Sequence, residues 1–415
     1  MHHYAALLGN NVTISTAELS ALLPDMIKKT VFGNQYLTFE TKEELTQEFL
    51  NRLGGTILIA KNITGNGVVT LKDIPTLLAT ELATVKGKAV FSLRLVGIPP
   101  HIGKDLFRDC KKGLKQKGVP SRYLGSEREP AKAIQLHDEN LLDPKKGCEL
   151  TILHEKNQLW IGRTVAAQNV KAYTLRDIGK PVRDTTVGLL PPKLAQILLN
   201  FGEYLASTTA GQQPSLGLRP RSGSTLTIFD PFCGTGVIPV ECLLRRNAVL
   251  ASDVSLKAVN GCEKNLEWTR KTYKIAKKDI ASTVWKQDAT KTFDLGKTLP
   301  DVIVTEGTLG PALSDRPTIK EIEKLMRNAE GLTESFLKNC KTCLPNTPIV
   351  MTLPVWYAMK KMMPLSKVAS AIDACGYRTV MPPHVDGWLP DRLSLLYRRN
   401  DQFVGREIVM LMPKK

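Results

Sequence analysis

From residue 226 to the end of the chain, short runs of apolar and β-branched residues alternate with segments of helical periodicity. We predict strands at "LTIFD", "AVLASD", "STVWKQD", "DVIVTE", "TPIVMTLP", "RLSLLYRR" and "EIVMLM". A strict alternation of strand and helix indicates a mostly parallel sheet with helices packed on both faces. The pattern therefore predicts an α/β fold with a Rossmann-like sheet of seven strands.

Each of the first four predicted strands ends at or near an acidic residue. These residues are Asp230, Asp253, Asp288 and Glu306. In a doubly wound sheet, ligands bind in the crevice outside the carboxyl ends of the strands. We therefore expect the four carboxylates to surround one crevice, because the sheet holds them while the loops leave them open to a ligand.

The turn "DPFCGTG" after the first of these strands narrows the choice of ligand. Gly234 and Gly236 permit a tight turn and a close approach of a ligand to the backbone. The third glycine of the dinucleotide fingerprint is missing, because that position is Pro239. Asp253 is suited to accept hydrogen bonds from ribose hydroxyls, and Asp288 to accept them from an exocyclic amino group. The set fits adenosine with a small, non-phosphate tail; alternatively, the turn is only structural and the acids are incidental.

The charge of the chain points to a second kind of ligand. The 415 residues carry a formal net charge of +17, and between Lys86 and Lys132 twelve basic residues stand against four acidic ones. This surplus of +8 favours a polyanionic partner, since Lys and Arg release counterions from phosphates. The spacing of "GKDLFRDCKKGLKQKGVPSRYLG" predicts a basic helix face ended by a turn; alternatively, this face is solvated and binds nothing. The candidate RNA or phosphate contacts are Lys104, Arg108, Lys111, Lys112, Lys115, Lys117 and Arg122.

The pattern before the parallel sheet predicts further domains, because short apolar runs and helical patterns mix there in the manner of α+β domains. The predicted regions are a ferredoxin-like domain at 1–84, a second α+β domain at 85–168, a linker at 169–190 and the α/β domain at 191–415. "PPKLAQILLNFGEYLA" is predicted as a helix opened by proline. The polar segment at residues 207–225 is predicted as a flexible connection.

Composition predicts a cytoplasmic protein. No apolar run reaches the length needed to cross a bilayer, and "MHHYAALLGNNVTIS" lacks the pattern of a secretion signal. The eight cysteines are scattered, which is typical of reduced thiols. Cys340 and Cys343 form a C-x-x-C pair, but a zinc site needs about four ligands, and we predict no metal site.

"DPFCGTG" resembles the first S-adenosylmethionine motif of the RNA guanine-N2 methyltransferases, and "YTLRDIGKP", "GLLPPKLAQILLN" and "DQFVGREIVML" also resemble that family. The likeness is to the THUMP-domain tRNA methyltransferases that modify the guanine at tRNA position 10. It implies a class I methyltransferase domain, a THUMP-like RNA-binding region at 85–168, S-adenosylmethionine as cofactor and tRNA as partner, with a small activating subunit as a further candidate partner.

The resemblance also implies roles for individual residues. Lys193 and Ala195 would lie near the cofactor, Asp253 on its ribose and Asp288 on its adenine ring. The candidate cofactor-binding residues are Lys193, Asp230, Pro231, Cys233, Gly234, Thr235, Gly236, Asp253, Asp288 and Ala289.

The catalytic motif of that family is altered in this chain. Family members carry Asp-Pro-Pro-Tyr after the fourth strand, and the position here reads Glu306, Gly307, Thr308, Leu309. A carboxylate and a backbone carbonyl that accept the two N–H groups of the guanine amine would hold its nitrogen in line with the methyl group. Glu306 and Gly307 retain these two acceptors, but the aromatic ring that stacks on the base, worth roughly 1 to 3 kcal/mol, is lost. The candidate catalytic residues are Glu306, Gly307 and Thr308.

These observations leave three functions open. The leading one is an S-adenosylmethionine-dependent RNA methyltransferase that transfers a methyl group to guanine N2 in tRNA by direct in-line attack, without a metal. The second is a catalytically altered or inactive homologue that binds RNA or activates a partner. The third is an enzyme that methylates an amino group of DNA or protein, because related sheets serve many substrates.

Overall fold

The computed structural model describes residues 1–65, 67–184, 188–209, 225–311, 317–358, 360–389, 391–399 and 402–414. The chain divides into two compact units. Unit 1 consists of Met1–Val12, Asp25–Asn51 and Thr56–Tyr173, and unit 2 consists of Thr13–Pro24, Arg52–Gly55 and Thr174–Lys415. Most of the predicted flexible connection, residues 210–224, lies outside the described residues.

The first half of the chain alternates strands with short helices. Its elements are β1 (His2–Leu8), α1 (Val12–Leu22), β2 (Ile27–Phe32), β3 (Tyr36–Thr41), α2 (Gln47–Asn51), β4 (Thr56–Asn62), a 3₁₀ turn (Leu71–Asp73), α3 (Ile74–Glu81), β5 (Ala89–Val96), α4 (Pro100–Gln116), β6 (Ser121–Leu124), α5 (Ala133–Asp138), β7 (Gly147–Glu155), β8 (Gln158–Ala167) and α6 (Val170–Ile178). The described strands of unit 1 form one sheet in the order β2-β3-β1-β4-β8-β7-β5-β6. The predicted boundary after residue 84 lies between α3 and β5, and the strands on both sides of it belong to this sheet. The assignment of four regions along the chain stays a prediction.

Helix α4 explains how the basic segment of the sequence folds. Strand β5 pairs in parallel with β6, and a parallel pair needs a crossover connection, which α4 supplies. Its buried residues recur at helical spacing, so that one side packs on the core and the other side faces solvent. These buried residues are Gly103, Leu106, Phe107, Cys110 and Leu114.

The second half of the chain contains the predicted parallel sheet. Its elements are α7 (Pro192–Thr209), β9 (Thr227–Asp230), α8 (Val237–Leu244), β10 (Ala248–Asp253), α9 (Leu256–Tyr273), β11 (Ser282–Lys286), β12 (Val302–Glu306), α10 (Ile319–Cys343), β13 (Ile349–Ala358), β14 (Lys361–Met363), α11 (Val368–Ala374), β15 (Tyr377–Val380), β16 (Ser394–Tyr397) and β17 (Val404–Pro413). The described strands pair in the order β11-β10-β9-β12-β13-β17-β15, and the first five are parallel. The predicted α/β, Rossmann-like fold class is confirmed.

One predicted strand is placed differently in the structure. The run "RLSLLYRR" was expected as a full member of the sheet, but only Ser394–Tyr397 is a strand, and it pairs with β17 beside the main path. The last position of the path belongs to β15, which the sequence did not predict. Strand β15 has four residues, "YRTV", of which only Tyr377 is buried, so its apolar pattern is too short to recognise.

The sheet of unit 2 is buried on both faces, which accounts for its nearly continuous apolar strands. Val302 and Val304 of β12 belong to the core cluster that contains residues of α7, α8 and α9. Ile303 belongs to the opposite cluster, with residues of α10 and α11. Alternate residues of one strand therefore contact different helical layers, and the sheet fixes where each strand ends.

None of the helices in the described ranges is long and apolar enough to cross a membrane. All eight cysteines are free thiols, and Cys340 is buried on α10. The described residues contain no group of His, Cys, Asp and Glu side chains that could hold a metal ion.

Candidate functional site

The glycine-rich turn connects β9 to α8. Gly234 and Gly236 have φ angles of +50° and +86°, in the left-handed region that side chains disfavour. A Cβ added to Gly236 would lie 2.6 Å from Sγ of Cys262, so this glycine is needed for the packing of α9 against the turn. A Cβ added to Gly234 would meet no atom within 4 Å. Gly234 therefore borders open space at the carboxyl end of the sheet.

Asp253 ties this turn to the end of the neighbouring strand β10. Its Oδ2 accepts a hydrogen bond of 3.0 Å from the backbone N–H of Gly234, and its Oδ1 accepts one of 2.9 Å from Ser255. Each carboxylate oxygen has a second lone pair, so the side chain can still accept hydrogen bonds from a ligand. The structure thus brings together two of the residues predicted to hold the same ligand.

Asp230, at the end of β9, has a different environment. Its side chain is buried and its Oδ1 accepts hydrogen bonds from Oγ1 of Thr305 at 2.6 Å and from the N–H of Phe232 at 3.2 Å. Burial raises the pKa of Asp230 to about 7 against the effect of these two bonds, and the nearby charges of Asp253 and Glu306 raise it further. Asp230 therefore links β9 to β12 from inside the protein.

Two other predicted residues follow β11. The carboxylate of Asp288 accepts hydrogen bonds from N–H and Oγ1 of Thr290, at 2.9 and 2.7 Å, and both bonds lower its pKa. Asp288 is half-buried and ionised, as an acceptor for an amino group must be. Ala289 is buried, and its carbonyl accepts a hydrogen bond of 2.9 Å from Nδ2 of Asn339, so this residue anchors the segment to α10.

The remaining predicted residues of the turn act through the backbone or the core. Pro231 and Cys233 are buried. The pKa of Cys233 is raised by its sulfur contact with Cys262 and by burial, so its thiol stays protonated. The carbonyl of Thr235 accepts a hydrogen bond of 2.7 Å from Nδ2 of Asn265 on α9. These residues fix the shape of the turn.

The first turn of α7 carries the two residues that the resemblance placed near a cofactor. Lys193 lies at the surface, where neighbouring groups partly desolvate its ammonium and Arg399 repels it, and both effects lower its pKa. Ala195 is fully buried in the core cluster around α7. Of the two, only Lys193 presents its side chain at the surface.

Glu306 ends β12 and forms an ion pair that the sequence did not predict. Its Oε1 accepts a hydrogen bond of 2.5 Å from Nε of Arg406 on β17. The side chains of Arg406 and Glu306 are only 3% and 13% exposed. Burial raises the pKa of Glu306, while the charge and the hydrogen bond of Arg406 lower it. Nη2 of Arg406 also donates to the carbonyl of Leu189 at 3.1 Å, which fixes the guanidinium at two points.

The sequence of β17 contains a signal that indicates such an ion pair. The strand "VGREIVMLMP" is apolar except for two adjacent charged residues, Arg406 and Glu407, and both are buried. Buried charges are almost always paired, so each of them demands a partner of opposite sign. Glu407 pairs with Arg392, through bonds of 2.6 and 2.8 Å, and Arg406 pairs with Glu306.

The loop after Glu306 contains the other two predicted catalytic residues. A Cβ on Gly307 would lie 3.1 Å from the carbonyl oxygen of Thr352, so a side chain at this position would press on β13. Thr308 is exposed, and its Oγ1 accepts a hydrogen bond of 3.1 Å from the N–H of Gly310. This bond shapes the loop, and no aromatic residue occurs between Gly307 and Pro311.

The candidate RNA interface lies on α4 in unit 1. Six of the seven predicted basic residues are exposed, and four of them follow one another at spacings of three and four residues, which places them on one helix face. These four are Lys104, Arg108, Lys111 and Lys115. Arg108 forms ion pairs with Asp105 and Asp109 on the same helix, and half-buried Arg122 forms an ion pair with Glu139. Lys112 and Lys117 are exposed beside this face.

Tyr123 on the edge strand β6 was missed by the sequence reasoning. It is 48% exposed, and Nζ of Lys111 lies 5.8 Å from the centre of its ring. Phe107 supports the ring from the core side, with ring centres 5.2 Å apart. An exposed aromatic ring beside a basic helix face is a feature of surfaces that bind unpaired nucleotides. In the sequence, Tyr123 stands next to Arg122 in the short run "SRYL", and this run becomes informative once β6 is known to be an edge strand.

Comparisons with known proteins find solved structures that match this chain at low sequence identity. The crystal structure of TrmN from Thermus thermophilus matches at a TM-score of 0.50 and 14% identity, over 99% of this chain and 100% of that chain. A possible methylase from Clostridium difficile 630 matches at 0.47 and 9%, over 100% and 98% of the two chains. The magnesium protoporphyrin IX methyltransferase (ChlM) from Synechocystis PCC 6803, with bound SAM, matches at 0.31 and 12%, over 59% of this chain and 92% of that chain.

No protein-family model and no curated protein sequence matches this chain. At 14% identity, the similarity to TrmN shows the fold alone. The chain thus has a class I, Rossmann-like methyltransferase fold in its C-terminal part, together with an α+β N-terminal part, as the sequence predicted.

Proposed function

We propose that this protein is an S-adenosylmethionine-dependent RNA methyltransferase. Its proposed target is N2 of a guanine in tRNA, of the kind found at tRNA position 10. The observation that carries the proposal is the position of the Gly234–Asp253 pair. The strand order reverses between β9 and β12, and in open α/β sheets ligands bind at such a switch point. The glycine turn and Glu306 follow the two strands that flank it.

The residues at the switch point fit S-adenosylmethionine. Gly234 borders open space into which a cofactor can approach the backbone, and Asp253 retains lone pairs for ribose hydroxyls. Asp288 is an ionised acceptor for the adenine amino group. The turn lacks the third glycine of a pyrophosphate site, in agreement with a cofactor that carries no phosphate. When bound, S-adenosylmethionine would supply an electrophilic methyl group on its sulfonium.

Glu306 and the carbonyl of Gly307 would act on the substrate. A carboxylate that accepts one N–H of the guanine amine raises the electron density on its nitrogen and orients it, and the backbone carbonyl can accept the other N–H. As the new N–C bond forms and the S–C bond breaks, the nitrogen becomes positively charged and must lose a proton. Glu306 can accept this proton and pass it to solvent.

The basic face of α4 supports RNA as the substrate. The phosphates of RNA would bind to the row of exposed Lys and Arg side chains. Tyr123 offers a surface for base stacking next to this row. Replacing three lysines by glutamine should weaken tRNA binding and reduce its salt dependence by about one slope unit per lost contact. The substituted residues are Lys111, Lys112 and Lys115. Unchanged affinity and an unchanged salt slope would mean that the face is only solvated.

The choice of tRNA and of guanine N2 rests on the resemblance of "DPFCGTG" and its companion segments to the THUMP-domain family. The eight free cysteines agree with a reducing compartment, and we propose that the protein acts in the cytoplasm. A small activating subunit is a further proposed partner.

Two features of the site favour a second, non-catalytic function. The loop from Gly307 to Pro311 has no aromatic ring, and the carboxylate of Glu306 is engaged by Arg406. A homologue that binds RNA or activates a partner without catalysis would tolerate both features. The two functions differ in whether the protein catalyses methyl transfer.

Methyl transfer to unmodified tRNA distinguishes them. Radiolabelled S-adenosylmethionine is incubated with tRNA and with the parent protein, Glu306→Gln, or the control Glu263→Gln, which alters an exposed acid on α9. We expect the parent and the control to be equally active, and Glu306→Gln to be slower by roughly 100-fold, about 2.7 kcal/mol, with little change in cofactor affinity. A parent protein that is inactive on every tRNA would favour the second function. A Glu306→Gln variant as active as its parent would remove Glu306 from catalysis.

A further inference from the structure

The ion pair between Glu306 and Arg406 is held more firmly than a surface salt bridge. Arg406 is anchored twice, because Nε donates to Glu306 at 2.5 Å and Nη2 donates to the carbonyl of Leu189 at 3.1 Å. Its side chain is 3% exposed, so water does not compete for these bonds. The planar guanidinium gives the two bonds a fixed relative direction, which a lysine ammonium does not provide.

The sheet itself prescribes the geometry of the pair. Glu306 lies opposite Thr352 in the parallel pairing of β12 with β13, and Arg406 lies opposite Pro354 in the antiparallel pairing of β13 with β17. The two charged residues therefore face each other across one intervening strand. A pair held by three hydrogen-bonded strands has little freedom to reorient.

The pair leaves part of the carboxylate available. Oε1 of Glu306 is bound by Arg406, and within the described ranges of the chain no hydrogen bond is made to Oε2. The Glu306 side chain keeps 13% of its surface exposed, at the end of β12 where the ligand crevice is expected. One oxygen is thus fixed from behind while the other can receive a donor from a substrate.

We propose that Arg406 is a positioning residue, which fixes the carboxylate of Glu306 so that Oε2 faces the amino group that is to be methylated. This inference rests on the proposed function, since it assigns Arg406 a part in that same reaction. Arg406 acts through Glu306 and does not itself touch the substrate. Because the guanidinium lowers the pKa of this carboxyl, it also favours the ionised form, whose charge draws the N–H of the amine.

The charges around Glu306 explain why an arginine is needed here. Burial disfavours the ionised carboxyl, and Asp230 on the neighbouring strand β9 is a second buried acid whose charge interacts with that of Glu306. Arg406 opposes the effect of burial through its charge and its hydrogen bond. Without it, the pKa of Glu306 would be higher still, and the protonated carboxyl would present a donor to the donor of its substrate.

The pH dependence of methyl transfer tests this role. We expect Arg406→Gln to lower turnover by roughly 100-fold and to move the acid limb of the pH–rate profile upward by about one pH unit or more, with an affinity for S-adenosylhomocysteine within about twofold of the parent. Arg392→Gln is the matched control, because Arg392 forms the other buried pair of β17, with Glu407. Its acid limb should coincide with that of the parent. An unmoved limb in Arg406→Gln, or an equal shift in Arg392→Gln, would overturn the proposal.

Arg406→Lys separates charge from geometry. A lysine retains the positive charge, but its ammonium lacks the planar geometry that gives the bonds to Glu306 and to the carbonyl of Leu189 a fixed relative direction. We expect an acid limb near that of the parent and a turnover that is still reduced by roughly 10-fold or more. Full activity in this variant would show that the fixed geometry is not needed, and the variant remains informative if Arg406→Gln does not fold.

A measurement without turnover distinguishes failure of this inference from failure of the proposed function. Glutamate labelled with ¹³C at the side-chain carboxyl is incorporated, and the signal of Glu306 is assigned by its loss in Glu306→Gln. Its titration midpoint should be higher in Arg406→Gln than in the parent. Equal midpoints would overturn the role of Arg406 even in an active enzyme, whereas a higher midpoint in a protein that transfers no methyl group would sustain the ion-pair role and refute the reaction.

Discussion

Gly234→Ala adds one methyl group to the turn between β9 and α8, at a position where a Cβ meets no protein atom within 4 Å. The residue has a φ of +50°, so the substitution carries backbone strain of about 1 to 2 kcal/mol. The smaller conformational entropy of alanine in the unfolded chain offsets about 0.4 to 1 kcal/mol of this. We therefore expect the free energy of unfolding to fall by only about 1 kcal/mol.

The effect of Gly234→Ala on cofactor binding should be larger than its effect on stability. If the cofactor lies against this turn, the methyl group enters the space that the cofactor occupies. Overpacking by a methylene costs about 1 to 3 kcal/mol, so the dissociation constant of S-adenosylhomocysteine should rise by roughly 5-fold or more.

Gly236→Ala is the control, because its main effect should be on stability. Its φ is +86° and its Cβ would lie 2.6 Å from Sγ of Cys262, so strain and overpacking add to a loss of about 2 to 5 kcal/mol in the free energy of unfolding. Denaturant unfolding gives the stabilities, and titration calorimetry with S-adenosylhomocysteine gives the affinities. If Gly234→Ala binds this ligand as tightly as the parent does, the cofactor does not lie against the turn, and the assignment of the site is refuted.

Three further outcomes are expected. Asp253→Ala removes the acceptor at the end of β10 and should weaken S-adenosylhomocysteine binding by about 1.5 to 3 kcal/mol in calorimetry, whereas parent-like affinity would contradict its role. Burial raises the pKa of Asp230 to about 7, so the folded protein holds this proton more tightly than the unfolded chain, and the free energy of unfolding should fall as the pH rises from about 4 to about 7. Asp230→Asn has no carboxyl proton to lose. In denaturant unfolding, its free energy of unfolding relative to that of the parent should increase by about 1 to 3 kcal/mol between pH 5 and pH 8. A difference that does not change with pH would contradict the raised pKa. Tyr123→Ala should weaken the binding of single-stranded RNA by about 1 to 3 kcal/mol in filter binding, while Tyr123→Phe, which keeps the ring, should bind as the parent does; equal weakening in both variants would exclude stacking.

Most strands of the central sheet could be predicted from the sequence, because the signal for each strand is local. Strands buried on both faces appear as apolar runs, such as Val302–Glu306, and the helices between them have their own period. The positions of Gly234 and Asp253 followed from the rule that ligands lie at the carboxyl ends of such strands. Strand β15 could not be recognised, because four residues with one buried side chain, Tyr377, carry too little periodicity.

The partner of Glu306 could not be predicted, for a different reason. Arg406 is 100 residues away in the sequence, and the two meet only because β13 lies between β12 and β17 in the sheet. Sequence indicates that a charge buried in an apolar strand needs a partner, but tertiary pairing decides which one. The exposure of Tyr123 likewise depends on β6 being at the edge of its sheet.

Mass spectrometry of nucleosides provides the decisive test of the proposed reaction. Unmodified tRNA is incubated with the protein and with S-adenosylmethionine that carries a deuterated methyl group, and the RNA is then digested to nucleosides. The proposed function predicts a deuterated N2-methylguanosine with the parent protein, and a yield lower by roughly 100-fold at equal time with Glu306→Gln. A tRNA without any deuterated nucleoside, or one labelled only on a base other than guanine, would contradict it.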